Sequence, residues 1–371
     1  DNNTYRLQPM DIGLVGCGNI SDQYLTNLPR LPGINVKACA DLVMERAKTK
    51  ALEYGIPEFL KVNELLERDD IELVVNLTVP RAHGEVSTQI INAGKHTYSE
   101  KPLAVCRSDG AKILESAKRM NKSAGCAPDT FLGAGIQTCR NFIDKGGIGE
   151  PIAATAFMVN HGHEHWHPNP GFYYEVGGGP MLDMGPYYLT ALINLMGPIS
   201  SVSGMTRKTF EERTITSESL FGTKIDVEIP THIAASLRFA NGAIGTIITS
   251  FDIWGSQLPR IEIYGTEGSI SVPDPNTFEG PVLIQTGYKD NWNPLDLTHP
   301  IGGRGLGVAD MVAAIKDSRQ PRADVSLAYH VLDVMEAIHD SSKQENHVSI
   351  ESLCRQPSPI KPGWIGGDFT E

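Results

Sequence analysis

The sequence predicts an α/β protein in two parts. A parallel sheet layered between helices comes first, then a large open, mostly antiparallel sheet with helices on one face. Three observations predict it. Short apolar runs alternate with helical stretches from about residue 9 to 127, a pattern that demands parallel strands joined by crossover helices. From about 151 to 272 the texture is β-rich and punctuated by turn signals such as Asn241-Gly242, as in antiparallel hairpins. Helical patterns return near 306–318 and 325–343.

In the first part, strands are expected at 11–16, 35–40, 72–77, 95–99 and about 123–127, with helices near 21–29, 43–54, 61–67, 84–93 and 107–121. Leu73-Val74-Val75-Asn76-Leu77 is the apolar run of a strand buried on both faces. In the second part, helices are expected at 134–145 and 180–196, and strands at 151–159, 199–206, 231–240, 243–251, 260–265 and 268–272. The near-alternation of Thr231 to Phe239 marks a half-buried strand. The natural division is 1–127 and 128–371, and the Pro- and Gly-rich tail from Pro357 to Glu371 reads as extended. The open sheet needs a cover, and a second copy of the chain is the simplest one, so a homo-oligomer is expected.

Composition narrows the function. A net charge of −12 argues against nucleic acid or an anionic membrane as partner. No apolar run approaches the ~18 residues needed to span a bilayer, and Asp1 to Arg6 lacks a signal-peptide core. Six cysteines without CxxC spacing suggest reduced thiols and a cytoplasmic protein.

The first strand runs directly into Gly16-Cys17-Gly18-Asn19-Ile20-Ser21. Such a turn offers one glycine for the bend, a second for close approach of a pyrophosphate, and a small residue for helix packing. The following helix start offers N–H groups to phosphates. Asp41 ends the second strand, 23 residues after Gly18, where an acid receives an adenine ribose hydroxyl and repels a 2′-phosphate. NAD is therefore favoured over NADP, although Asp41 can equally cap the next helix. Thr78, Pro80 and His83 follow the third strand, on the edge where ligands bind in such sheets. With Gly16, Gly18, Asn19, Ile20 and Asp41 they are the candidate cofactor contacts, to which Glu100 and Lys101 are added below.

These residues resemble the Gfo/Idh/MocA oxidoreductases, named for glucose–fructose oxidoreductase and inositol dehydrogenase. The resemblance rests on the glycine turn, on Asn92-Ala93-Gly94-Lys95-His96 leading to Glu100-Lys101-Pro102, and on Gly177-Gly178-Gly179-Pro180-Met181-Leu182-Asp183-Met184-Gly185. It implies an N-terminal Rossmann domain, a C-terminal substrate-binding α/β domain, a nicotinamide cofactor, and sugars or polyols as substrates.

Oxidising an alcohol needs a base for the O–H proton and a rigid cradle for the C–H. The resemblance maps Lys101 to proton handling, Glu100 to the ribose or nicotinamide end, and Asp183 to a catalytic acid. Four residues on, the family commonly has histidine; here it is Tyr187, on the same helical face as Asp183. A phenol with its ordinary pKa near 10 is a poorer neutral-pH base than imidazole. His161, His163, His165 and His167 alternate in His161-Gly162-His163-Glu164-His165-Trp166-His167. On a strand they would share one face, a pattern that suits a metal. Gly162, Pro168 and Pro170 instead favour a substrate loop, with Trp166 stacking on a sugar and His165 or His167 bonding its hydroxyls. His165 could also supply the imidazole absent from position 187, and Asp129 is the further candidate sugar ligand. No metal is expected.

The expected function is an NAD-dependent sugar, glycoside or polyol dehydrogenase. Resemblance to the branch carrying Asp183-Met184-Gly185-Pro186-Tyr187-Tyr188 points to a ring hydroxyl, C3 of a glucoside. The alternatives are a redox-neutral, NAD-dependent glycosidase and a non-catalytic sugar sensor.

Overall fold

The computed structural model describes residues 8–288 and 291–363. The segment Asp1 to Arg6 and the end of the tail lie outside the described residues. The chain forms two compact units, one comprising Asp1–Gln137, Thr298–Tyr329 and Pro357–Glu371, the other Thr138–Leu297 and His330–Gln356.

The first unit is built on six parallel strands, β1 (Met10–Val15), β2 (Ile34–Ala40), β3 (Glu58–Leu60), β4 (Leu73–Asn76), β5 (His96–Ser99) and β6 (Ala124–Cys126), in the order β3-β2-β1-β4-β5-β6. This is the order of a Rossmann sheet, whose ligand crevice lies where the order reverses, between β1 and β4. Ile12, Leu14, Leu73, Val74 and Val75 are wholly buried, as strands covered on both faces require. The short β3 had no signal of its own in the sequence.

The segment 298–329, assigned to the second part from sequence, packs into this first unit. It supplies partners that the edge strand β6 lacks. Cys126 N–H donates to Ala323 O at 3.0 Å, and Gly125 bridges to Asp324. The segment is itself locked by a buried ion pair. Asp310 is wholly buried and accepts from Arg322 at 2.6 Å and Arg319 at 2.8 Å.

The second unit holds a nine-stranded sheet. Its strands are β7 (Pro151–Val159), β8 (Ile199–Arg207), β11 (His232–Phe239), β12 (Ile244–Ser250), β13 (Ile261–Gly265), β14 (Gly268–Val272), β15 (Val282–Thr286), β16 (Asn293–Leu295) and β17 (Val348–Ser349). A separate hairpin joins β9 (Glu212–Thr214) to β10 (Lys224–Asp226). Among the described residues of this sheet, the β7–β12 pair alone is parallel; the other pairs are antiparallel. Register divides the faces. Val202, Leu237, Gly245, Ala154, Ile263 and Ile270 form a row on the buried face, where the helix Pro180–Met196 packs. Met205, Ala234, Ile248 and Phe157 form a row on the opposite face, with Met205 80 % exposed. No helix among the described residues is long and apolar enough to cross a membrane.

Asp310→Ala leaves two guanidinium groups facing a buried void. The expected loss is about 3–5 kcal/mol of unfolding free energy, measurable by urea denaturation.

Candidate functional site

In the first unit the candidate residues gather on the carboxyl edge of the parallel sheet. The chain leaves β1 through Gly16 at φ +98°, where a Cβ would lie 2.5 Å from the backbone of Leu77. Glycine is therefore required at that position. A Cβ at Gly18 would meet nothing within 4 Å, so this side of the turn is open for a phosphate to approach. Asn19 and Ile20 complete the turn into the helix Ser21–Asn27, whose start has no side-chain cap. Asp41 is fastened to the same turn: Oδ2 accepts from Cys17 N–H and Oδ1 from Val43 N–H, each at 2.8 Å. The carboxylate thus ties the glycine turn to the start of the next crossover. The open turn and the acid beside it fit a dinucleotide.

Thr78 folds back on the end of β4, its hydroxyl donating to Asn76 Oδ1 at 2.6 Å, and Pro80 opens a short 3-10 turn. Lys101 follows β5 and is half-buried; its peptide bond to Pro102 is cis, as is Ala127-Pro128.

Two of the expected cofactor contacts turn inward. Glu100 is 7 % exposed, with Tyr24 Oη donating to one carboxylate oxygen at 2.7 Å and Lys101 N–H to the other at 3.0 Å. It anchors the lysine loop rather than presenting an unengaged carboxylate. His83 is 1 % exposed, its Nδ1 lying 2.7 Å from Pro102 O and its Nε2 2.7 Å from Thr78 O. Burial holds its ring below the usual histidine range. It packs between the Thr78 loop and the Lys101-Pro102 loop, and its neutral ring donates its one N–H to one of the two carbonyls.

Asp129, expected at the sugar, also turns inward. It is wholly buried, and Oδ2 accepts from Gly305 N–H at 2.9 Å and Gly307 N–H at 3.0 Å. It holds the first turn of the helix Leu306–Lys316, and burial raises its pKa to about 6. The sequence around Asp129 carried no sign of this, since its partners lie in the returning segment.

In the second unit the helix Pro180–Met196 begins after Gly179 and carries Asp183 in its first turn and Tyr187 in its second. The Asp183 side chain is 22 % exposed and Tyr187 is buried. Pro186 has no N–H, so the helical hydrogen bond to the Leu182 carbonyl is absent in this stretch.

The histidine run forms no strand, so its members do not share a face. It turns at Gly162, φ +88°, where a Cβ would lie 2.1 Å from the Tyr174 hydroxyl. His161 stacks on Trp254 at 3.5 Å, while His163 stacks on Tyr173 at 3.7 Å. His165 and Trp166 are exposed. His167 accepts at Nδ1 from Asn169 N–H, and its carbonyl accepts from the Ser217 hydroxyl. The imidazole facing Asp183 is that of His163, with Nε2 3.9 Å from Oδ2, and not that of His165. The alternation hid this, because only the turn decides which ring points inward. Among the described residues, no three His, Cys, Asp or Glu side chains converge to hold a metal.

Sequence reasoning also missed the anchor of this loop. Arg213 is 6 % exposed and pairs with Glu164 at 2.7 Å and Asp252 at 2.9 Å; it also donates to Phe251 O at 3.0 Å and His161 O at 2.6 Å. A cavity of about 640 Å³ opens beside it, lined by His161, Glu164, His165, Phe210, Arg213 and Trp254 among others.

Burial lowers the pKa of both His163 and His96 to about 4. Each ring is neutral in the fold and regains its ordinary pKa of about 6.5 on unfolding. The stability they contribute is full above pH 6.5 and is lost as pH falls through 4. The melting temperature is expected to drop across that window in a calorimetric series, and His96→Gln to flatten the drop.

Comparisons with known proteins agree with this fold. Residues 10–126 match the oxidoreductase family with an NAD-binding Rossmann fold, and residues 136–271 match the GFO/IDH/MocA C-terminal domain. A 1,5-anhydro-D-fructose reductase of Ensifer adhaerens is 26 % identical over 84 % of this chain and 90 % of its own. A myo-inositol 2-dehydrogenase of Thermotoga maritima is 24 % identical over 70 % and 74 %. A solved levoglucosan dehydrogenase in complex with NADH superposes with a TM-score of 0.80 at 20 % identity, over 93 % of this chain and all of that one. The chain belongs to the Gfo/Idh/MocA family of oxidoreductases, with an NAD-binding Rossmann fold followed by the family's C-terminal domain.

Proposed function

We propose that the protein is an NAD-dependent dehydrogenase that oxidises a ring hydroxyl of a sugar, glycoside or polyol, C3 of a glucoside being the position assigned. The observation that carries this reading is the open glycine turn tied to Asp41, with Lys101 on the same sheet edge. Asp41 supports NAD over NADP because its charge repels a 2′-phosphate. The names of the relatives support a small polyhydroxylated substrate. When bound, the nicotinamide supplies the hydride acceptor. The side chains supply the rest. Lys101 handles the hydroxyl proton, Asp183 is the catalytic acid, and Tyr187 donates a hydrogen bond to the substrate. Trp166 and His167 belong to the loop that meets the sugar, where an exposed indole offers a stacking face.

Purified protein mixed with NAD and a panel of monosaccharides, inositols and glycosides is expected to form NADH, with loss of two hydrogens from one sugar by mass. Lys101→Ala should lower turnover by about 10²-fold or more. Sugar release without net NADH would replace this reading with a redox-neutral glycosidase. Ligand binding that survives Lys101→Ala, with no turnover in either form, would replace it with a sensor.

We place the protein in the cytoplasm, a reading supported by six cysteines without paired spacing. We assign the open sheet face to a second copy of the chain. Its row of Met205, Ala234, Ile248 and Phe157 is apolar, and such a face wants cover. Light scattering should give at least a dimer; a monomer at micromolar concentration would refute it.

A further inference from the structure

We propose that His163 is the positioning residue for Asp183, donating from Nε2 to the carboxylate and so replacing the imidazole that position 187 lacks. The inference deepens the dehydrogenase reading and rests on it for its kinetic consequence, but the pairing itself stands on geometry.

His163 is 7 % exposed, and its orientation is fixed from several sides. Its ring lies flat on Tyr173, at 3.7 Å and 7°, and meets the edge of Phe251 at 4.7 Å and 86°. Its carbonyl accepts from His167 N–H at 2.9 Å and Trp166 N–H at 3.3 Å, closing the turn. The next residue, Glu164, is held by Arg213, and its own carbonyl accepts from Ser217 N–H at 2.8 Å. The ring is therefore set before any substrate arrives.

The two ring nitrogens differ. Nδ1 is buried and has no hydrogen-bond partner, whereas Nε2 faces Asp183 Oδ2 at 3.9 Å. A buried N–H with nothing to accept it is costly, and a carboxylate favours a donor facing it. The single proton of the neutral ring thus belongs on Nε2. The charged groups around the ring are Asp183 and Glu164, which favour its protonated form, and His165 and His167, which disfavour it; burial outweighs them all. The ring therefore acts as a neutral donor. A separation of 3.9 Å is long for a hydrogen bond, and such contacts tighten when substrate binds. In that state one carboxylate oxygen faces the substrate while the other accepts from His163. Tyr187 fills the family's usual histidine position, so Asp183 receives its imidazole from the loop and not from its own helix.

The first test needs no substrate. Nitrogen-15 NMR of the histidine rings in the full chain at pH 7, with His163 assigned by His163→Gln, should show protonated Nε2 and bare Nδ1. The Nδ1–H tautomer would point a lone pair at the carboxylate and overturn the proposal. The second test is kinetic. His163→Phe keeps the stack on Tyr173 but removes the donor. It should lower kcat about tenfold or more, leave KM within about threefold and move the acid limb of the pH profile. His163→Gln, which retains a donor, should recover part of the loss. A His163→Phe enzyme with unchanged kcat and pH profile would overturn the proposal. If His163→Phe fails to fold, or the parent oxidises no sugar, the tautomer decides the pairing, and the second outcome counts against the dehydrogenase reading alone.

Discussion

Burial of β1, β4 and β5 on both faces is the constraint on which the first unit depends. Strands with wholly buried residues such as Ile12, Leu14, Val74 and Val75 have no face left for polar chemistry. Parallel pairing sends all of their carboxyl ends to one edge. The residues that can meet a ligand must therefore be those just after the strands: the glycine turn after β1, Asp41 after β2, Thr78 after β4 and Lys101 after β5. Order reversal between β1 and β4 leaves a crevice at that edge.

The loops on that edge are held by buried and half-buried polar side chains whose partners are mostly backbone groups. Asp41 accepts from the glycine turn, His83 meets carbonyls of the Thr78 and Lys101 loops, and Glu100 accepts from Lys101 N–H. Asp129 does the same for the returning segment. Each replaces water that the backbone has lost on burial, and an unpaired group in its place would cost about 1–3 kcal/mol. These residues look like site residues in a sequence because they are polar and sit at strand ends. His83, Glu100 and Asp129 direct their polar groups to neighbouring loops, whereas Asp41 is half-buried at the ligand edge.

The second unit handles the same problem with charge. Arg213 gathers Glu164, Asp252 and two backbone carbonyls into a buried knot that fixes the aromatic loop. Burying one guanidinium is tolerable because two carboxylates and the carbonyls occupy its donors. The knot sets His163 on Tyr173 and thereby opposite Asp183.

What the sequence by itself determined is the layering. Apolar runs of strand length, the alternation of strand and helix, and the Gly16-Cys17-Gly18 turn are local signals, and the Rossmann sheet and the open second sheet both follow from them. The candidate edge residues were legible for the same reason, since each follows a strand. Only the tertiary structure decided which polar side chains face outward and which face in. Asp129 and His83 turn inward because their partners come from segments that sequence spacing does not bring near. The short β3, β16 and β17 pair against β2, β15 and β8, and runs of two or three residues are too short to carry a periodicity. Among four alternating histidines, the turn at Gly162 and the pull of Arg213 select His163. Ring direction there depends on contacts between residues some fifty positions apart, and local periodicity carries no record of them.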